Sequence, residues 1–579
     1  MRLARLIANG FRNLAGQVAF SGPLTLLAGE NNTGKSNIID ALRLIAQPHA
    51  GARFNRWITS DDFAHDGRGN RLRDSFEIEA VLLDLSDSER ARMVTCLAPS
   101  LGDRAARLRM HAQLAETGRV NVVWYGGDSL QPAVEAWARA AIVHTYMHPL
   151  RDAAADLRPG RENRLVQLLS ALAPKNSLER MQIEKTADQA NKELAAVKAV
   201  SKAKGEVQER LNKMAGPVFA QQSDLVFADP RFERVVGTLR ALVGDQSPLE
   251  LAENGLGFNN LLYMATLLAA IDNEPEEGLH LLLVEEPEAH LHPQLQDLLM
   301  RYLEREAGGQ TQVIVTTHSP NFASASGVER MTVLARLSGG GSVVARAPAE
   351  FGMPQTSLDH LRRFLDVTKA SLLFARGVIL VEGIAEQLVL PLIGRQIGLS
   401  LSEAGIAVVN VGGLSFAPFA QLFAPDRLPY RCAIVSDGDP PSREAEEQDL
   451  DDGEAALSAT ARKLKAQETP TMHVFLSQRT FEWDLAQVGN WDLLLEALRL
   501  VKPRVAARLA TEQAEATNEA RADALLKAVD GIKGRFAQAL TQLIEGRNDM
   551  VVPSYLRQAI EWVVGQVPTA PDPVLGQSS

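Results

Sequence analysis

Three short runs in this chain carry residue types that can do chemistry. Gly29-Glu30-Asn31-Asn32-Thr33-Gly34-Lys35-Ser36 matches G-x-x-x-x-G-K-[ST]. Gly29 and Gly34, with Asn32 between them, let backbone N–H groups turn inward around phosphate oxygens. Lys35 reaches the β- and γ-phosphates of a nucleoside triphosphate, and the Ser36 hydroxyl ligates Mg²⁺. Leu281-Leu-Leu-Val284 is followed by Glu285 and Glu286, two acids at the end of an apolar run. Glu285 is placed to hold the Mg²⁺ shell, and Glu286 to orient or deprotonate an attacking water.

The third run is a set of carboxylates. Val-Ile-Leu-Val-Glu382-Gly-Ile-Ala-Glu386 is followed about fifty residues later by Ala-Ile-Val-Ser-Asp437-Gly-Asp439. If both apolar runs are neighbouring parallel strands, Glu382, Asp437 and Asp439 reach one sheet edge. Glu386 lies one helical turn beyond Glu382 and can face the same point. Clustered carboxylates need cations to stay ionised. All-oxygen donors select Mg²⁺ or Mn²⁺ over Zn²⁺.

The elements that must position these residues are also legible. LTLLAG (24–29) reads as a strand and SNIIDALRLIA (36–46) as a helix, the frame a phosphate loop needs. LHLLLVEEPEAH (279–290) and TQVIVTTHS (311–319) open as buried parallel strands. Further strands are expected at 75–85, 118–125, 377–383, 405–413 and 430–439, and a hairpin at 334–347. HTYMHPLRDAAADLRPGRE (144–162) reads as a loop entering a helix, and 502–545 as Ala-rich helix. From 160 to 215 aromatics vanish. Ile183, Ala187, Ala190, Leu194, Val197, Ser201 and Lys204 form a heptad-like stripe with a partly polar seam. It suits either one helix packed on its own domain or a helical arm that pairs two copies.

Composition bounds the class. The 579 residues are 46% hydrophobic and 23% charged, which excludes a disordered chain. At about 100–200 residues per domain, three to four domains are expected. Cys96 and Cys432 stand alone, so neither a disulfide framework nor a zinc ribbon is available. No apolar run reaches the roughly 18 residues of a membrane helix, and the basic start lacks a signal-peptide core. A soluble, cytoplasmic protein without membrane contact is expected. The net charge of −11 speaks against a nucleic-acid partner unless bound cations and a local basic patch offset it. Arg362, Arg363, Lys369, Lys533 and Arg535 are the basic candidates.

Further motifs carry a resemblance. His318 ends the strand after Glu285, and Asn254-Gly255-Leu256-Gly257 precedes an apolar helix about thirty residues before it. Lys35 and Glu285 are 250 residues apart. This order resembles the ABC-type heads of SMC, RecF and related ATPases, with a helical insertion. The resemblance implies that His318 senses the γ-phosphate and that Gly255 and Gly257 meet ATP on an opposite protomer. It therefore implies a homodimer, or a higher oligomer built from it. The nearest candidates for a further Mg²⁺-side contact are Asp61 and Asp62.

The Glu-Gly and Asp-x-Asp pattern resembles the Toprim fold, and Gly412-Gly413 matches its Gly pair. Glu386 is the addition seen in overlap (OLD) family nucleases. Thr480-Phe-Glu482-Trp-Asp484 resembles that family's acidic strand motif. Lys533-Gly-Arg-Phe-Ala resembles its Lys-Gly-x-Phe-Ala segment. The resemblance makes Glu482 a metal ligand and Lys533 the cation facing the transition state. HTYMHPLRDAAADL is similar to class 2 members, which include the Gabija nuclease.

An α/β chain follows: an SMC/RecF-like head with a helical insertion, then a Toprim domain. The expected divisions are 1–155 and 246–355 for the ATPase, 156–245 for a helical dimerisation insert, 356–565 for the Toprim domain with C-terminal helices, and 566–579 for a disordered tail. The resemblance implies an ATP-hydrolysing DNA endonuclease with two Mg²⁺ or Mn²⁺ ions, in antiphage defence or repair, with a helicase as a further partner. The alternative is a non-cleaving, ATP-gated DNA-binding protein like RecF, which would need an inert Toprim site. A primase-like transferase would need a zinc ribbon or a polymerising domain, and neither is visible.

Overall fold

The computed structural model describes residues 1–49, 57–65, 70–129, 134–149, 157, 160, 163–219, 221–244, 249–271, 278–336, 343–413, 415–438 and 458–565. Asp439, the run 150–152, the turn at 339–341, the acidic run 444–454 and the tail from 566 lie outside them.

In chain order the described strands begin with β1 (Arg2–Phe11), β2 (Leu14–Ala19), β3 (Leu24–Gly29), β4 (Gln47–Pro48), β5 (Ser75–Leu83) and β6 (Ala106–Leu114). Next come β7 (Val120–Gly126), β8 (Ile142–Met147), β9 (Leu242–Val243), β10 (Leu249–Glu250), β11 (Leu279–Glu285) and β12 (Thr311–Thr317). The last are β13 (Met331–Arg336), β14 (Val343–Arg346), β15 (Gly377–Val381), β16 (Ile406–Asn410), β17 (Arg431–Ser436) and β18 (Met472–Leu476).

Twelve strands form one sheet in the order β4-β8-β11-β12-β3-β13-β14-β2-β1-β5-β6-β7. Its centre, from β8 to β13, is parallel, and β2-β1-β5-β6-β7 is antiparallel. β3 and β11 are buried at every residue, as a central parallel strand requires. Alternation divides their side chains between two cores. Leu281 and Leu283 pack with Leu27, Ile38 and Leu42, whereas Leu282 and Val284 pack with Leu26, Val313 and Val315.

The second sheet is parallel throughout, in the order β16-β15-β17-β18. One face, carrying Val378, Leu380, Cys432 and Ile434, belongs to the same core as Leu282 and Val284 of the large sheet. The other face, with Ile379, Val381, Ala433 and Val435, packs on the C-terminal helices through Phe536, Leu540 and Leu556. The two sheets are therefore joined by a continuous apolar core, and a shift of one is felt by the other.

Three local expectations need correction, and one strand leaves no clear pattern in the sequence. The stretch from His144 is not loop: Ile142–Met147 pairs with β4 and β11, because burial between neighbours favours its Thr and Tyr as strand residues. The strand Ala106–Leu114 was not anticipated, since Arg107, Arg109 and His111 interrupt its apolar pattern. The heptad stripe does not form one helix. Val197 leaves the helical region at φ −60 and ψ 128, separating Leu178–Ala196 from Lys198–Phe219. A seam holding Ser201 and Lys204 buries too little to keep a long helix straight. The segment 502–545 is three helices, Pro503–Glu512, Asn518–Val529 and Lys533–Ile544. Among the described residues no helix is long and apolar enough to cross a membrane.

Candidate functional sites

The phosphate loop joins β3 to the helix Lys35–Ile45. Gly34 has φ +84, and a Cβ on Gly29 would lie 2.6 Å from the Leu334 carbonyl oxygen, so both positions demand glycine. Asn32 also takes a left-handed φ, 62, and its carbonyl accepts from Arg336 Nη2 at 2.9 Å. Lys35 is folded into the loop. Its Nζ donates to the carbonyls of Gly29 (2.7 Å) and Glu30 (2.9 Å). Burial lowers its pKa, while Glu286, Glu288, Glu30 and Glu285 pull the other way.

Ser36 Oγ donates to Glu285 Oε2 at 3.0 Å, which brings the two expected Mg²⁺ contacts together across 249 residues of sequence. Glu285 ends β11 and burial pushes its pKa up to about 7. Tyr146 of β8 donates weakly to its other oxygen at 3.5 Å, and Arg43 covers the tyrosine ring at 3.9 Å. Glu286 follows with φ 43, and its Oε1 is 3.4 Å from His318 Nδ1. Glu288 heads the Glu-Ala-His-Leu-His run that follows the two strand-end acids, and its spacing alone assigns it no role. It is buried, and its Oε1 accepts from Thr317 Oγ1 (2.5 Å) and from the His318 backbone N–H (3.1 Å). It thereby fixes the strand end that carries His318.

Gly255 and its neighbours Leu256 and Phe258 are exposed at the start of the helix Leu256–Ile271. A Cβ on Gly257 would meet the His290 carbonyl oxygen at 2.7 Å. Asp62 is not open to a metal. It is fully buried, held by Arg12 at 3.0 Å, and caps its own turn through the Thr59 N–H at 2.9 Å.

The second site lies at the carboxyl edge of the small sheet. Glu382 follows β15, and its backbone carbonyl accepts from Gly413 N–H at 2.9 Å. Gly412 and Gly413 both have positive φ (70 and 66), which makes that turn possible. Ser436 Oγ donates to Glu382 Oε2 at 3.2 Å. Asp437 follows β17, and its Oδ1 accepts from Phe481 N–H (3.1 Å) and Ser477 Oγ (3.5 Å). Gly438 has no room for a side chain, since a Cβ would sit 2.2 Å from the Ser477 carbonyl oxygen. Asp439, expected beside them, lies outside the described residues.

Glu386 stands in the first turn of the helix Ile384–Gln396 and is buried. Burial, Glu482 and Glu382 push its pKa up to about 7, against Lys533. Glu482 is not on a strand, as its motif suggested. It sits in the first turn of the helix Phe481–Gln487, capped by Thr480, whose hydroxyl accepts the Trp483 N–H. Asp484 holds that bend by accepting the N–H groups of Gln478 (2.8 Å) and Arg479 (3.2 Å). Lys533 Nζ lies 3.2 Å from Glu482 Oε2. Burial works against its charge, but Glu482, Asp437 and Glu386 outweigh it and raise the lysine pKa.

Among the described residues, no three of these acids are drawn in around a single point. They turn instead to Ser436, Ser477, Phe481 N–H and Lys533. One feature nevertheless fits a divalent cation: Glu386 is buried beside two other carboxylates, Glu482 and Glu382. Of the basic candidates, Arg362 is committed to Glu329 (2.6 Å) and Lys369 to Asp366.

Comparison with known proteins agrees with this division of labour. The family model "AAA ATPase domain" matches residues 145–323. The model "Overcoming lysogenization defect protein-like, TOPRIM domain" matches residues 373–439. The chain is 25% identical over 426 residues to the OLD nuclease of Thermus scotoductus, covering 71% of this chain and 77% of that one. It is 24% identical over 447 residues to the Old nuclease of Escherichia phage P2, covering 71% and 73%. Endonuclease GajA of Bacillus cereus is similar over 195 residues at 23% identity, covering 29% and 28%.

Proposed function

We propose that the chain, which joins an AAA ATPase domain to an OLD-like TOPRIM domain and is similar to OLD nucleases, is a nuclease of that family that cuts DNA with divalent cations at the edge of the small sheet. The observation that carries this reading is the convergence of Glu386, Glu482 and Lys533 beside the strand-end acids Glu382 and Asp437. Three elements far apart in sequence deliver those charges to one edge, which structure alone rarely requires.

Glu382, Glu386, Asp437 and Glu482, with Asp439, are the residues that would hold Mg²⁺ or Mn²⁺. Bound divalent ions would supply an activated water and stabilise the leaving oxygen of a phosphodiester. The chain's own part is to fix the acids. Ser436 and the Gly413 N–H hold Glu382, and Ser477 and the Phe481 N–H hold Asp437. Lys533, half-exposed, can turn from Glu482 toward charge that develops on a phosphate oxygen.

At the first site, Lys35 leaves the Gly29 and Glu30 carbonyls for the ATP phosphates, while Ser36 and Glu285 keep the Mg²⁺ position. Glu286 and His318 stand together to orient the attacking water and sense the γ-phosphate. We assign Asn254–Gly257 to a second copy's nucleotide, because Gly255, Leu256 and Phe258 are exposed there. The insert 156–245 supports pairing of two copies, with Met181, Leu194 and Met214 exposed along its helices.

The deciding experiment is nicking of supercoiled plasmid with metal and ATP varied independently. Product that requires Mg²⁺ or Mn²⁺, and that disappears with Asp437→Ala, is the expected result. Unchanged nicking by Asp437→Ala would reject this site, and a wild-type chain that binds DNA without cutting it would favour the RecF-like alternative.

A further inference from the structure

The outer strand of the small sheet is closed along most of its free edge and open at one end. β18 is an edge strand whose alternate residues face β17: Cys432 N–H donates to Thr471 O (2.9 Å) and Ser477 N–H to Ser436 O (3.1 Å). The backbone groups of Met472, Val474 and Leu476 therefore point outward. Met472 exchanges both of its bonds with Thr469, at 3.1 and 2.9 Å. Val474 N–H donates to Glu468 Oε1 and its carbonyl accepts from Lys465 Nζ, both at 2.8 Å. For Leu476, the outward position nearest Asp437, neither group has a protein partner among the described residues. An edge that is capped twice and then left open is a place where a ligand can complete the bonding.

That opening lines a cleft of about 510 Å³, shared with His473, Ser477, Gln478, Tyr555 and Gln558. The volume suits a ligand the size of a nucleoside. The cleft begins one side chain from the acids, because Ser477 Oγ reaches Asp437 Oδ1 at 3.5 Å and accepts the Gly438 N–H at 3.1 Å. His473 lines one side, and its ring is held in place by stacking on Trp562 with ring centroids 4.6 Å apart and planes 26° apart. Gln478 and Gln558 are exposed and offer donors and acceptors together. Lys465 is tied to Glu468 at 2.8 Å, so the rim carries little free charge and suits a base better than a second phosphate.

We propose that this cleft is a subsite for the nucleoside flanking the scissile phosphodiester. Its base lies against the His473 wall, and its polar edge meets the Leu476 main chain and the two glutamines. The inference rests on the nuclease reading and gives that site a side from which it grips its strand. A peptide adding as a further strand is disfavoured, because only one outward residue is open.

The test uses the full chain and short duplex substrates, intact or with one abasic sugar beside the cut. For the wild type, loss of the base on one side of the cut raises KM about tenfold, the loss expected of one stacked base. His473→Ala and Gln558→Ala raise KM on the intact duplex with kcat within about twofold. They also remove the abasic penalty, and His473→Phe retains it. Gln558 is exposed, so its variant remains informative if His473→Ala folds poorly. Variants that keep the wild-type KM, or pay the same abasic penalty, would overturn the subsite. Absence of any cutting by the wild type would instead be failure of the nuclease reading.

Discussion

Arg376 holds Glu30 of the phosphate loop with three contacts: Nε lies 3.0 and 3.1 Å from the two carboxylate oxygens, and Nη2 lies 2.9 Å from one. Arg376 directly precedes β15, the strand that Glu382 follows, and its backbone N–H donates to Gly405 O at 2.9 Å. The phosphate loop and the strand that leads to Glu382 thus share a side-chain tie as well as a core. The pair is half exposed, so its contribution is about 1 kcal/mol or less. Arg376→Gln should therefore weaken any effect of ATP on nicking by about two- to fivefold, with nucleotide-free nicking kept. Comparing the ratio of nicking rates with and without ATP in both proteins checks this.

Lys35→Ala should abolish ATP hydrolysis, because its Nζ is the cation folded into the loop against the Gly29 and Glu30 carbonyls, where the phosphates would lie. Metal binding at the second site should persist, since that site draws on other strands. A phosphate-release assay together with Mn²⁺ titration separates the two effects. Turnover at the wild-type rate would reject the phosphate-loop reading.

Lys533→Ala should lower the nicking rate about 100-fold, in the range found when one charge-stabilising group is removed. The loss should fall on kcat more than on KM. Glu482→Gln should also remove the counter-charge of Lys533 and weaken Mn²⁺ binding. Equal losses in kcat and affinity for Lys533→Ala would instead point to a purely structural lysine.

Glu288→Gln should slow ATP turnover without removing nucleotide binding. The residue holds the His318 N–H at 3.1 Å and the Thr317 hydroxyl, whereas Lys35 is held by the Gly29 and Glu30 carbonyls and Ser36 by Glu285. Binding of a fluorescent ATP analogue, compared with kcat, checks the split.

Stability and metal response should depend on pH in opposite ways. Glu285 and Glu386 have folded pKa values raised from 4.5 to about 7. Between those values the folded chain holds more protons than the unfolded one, so metal-free stability falls as pH rises. Divalent ions favour the charged carboxylates, so the gain in melting temperature with Mg²⁺ should grow from pH 5.5 to pH 8. A gain independent of pH would contradict these assignments.

The local frames are legible in the chain. Apolar runs that end in Glu285, Glu382 and Asp437 read as strands because parallel strands buried on both faces must be continuously apolar. Glycines at 29, 34, 412 and 413 read as turns because their conformations exclude a side chain. What meets across long separations is set by the fold. It moved Glu482 from a strand to a capped helical turn, and it assigned Asp62 to Arg12 rather than to a metal. It also brought Glu288 under His318 and Arg376 onto Glu30. Those contacts join residues whose types are ordinary on any surface. Their partners are set by strand order and by the core shared between the two sheets, and neither leaves a periodicity in the chain.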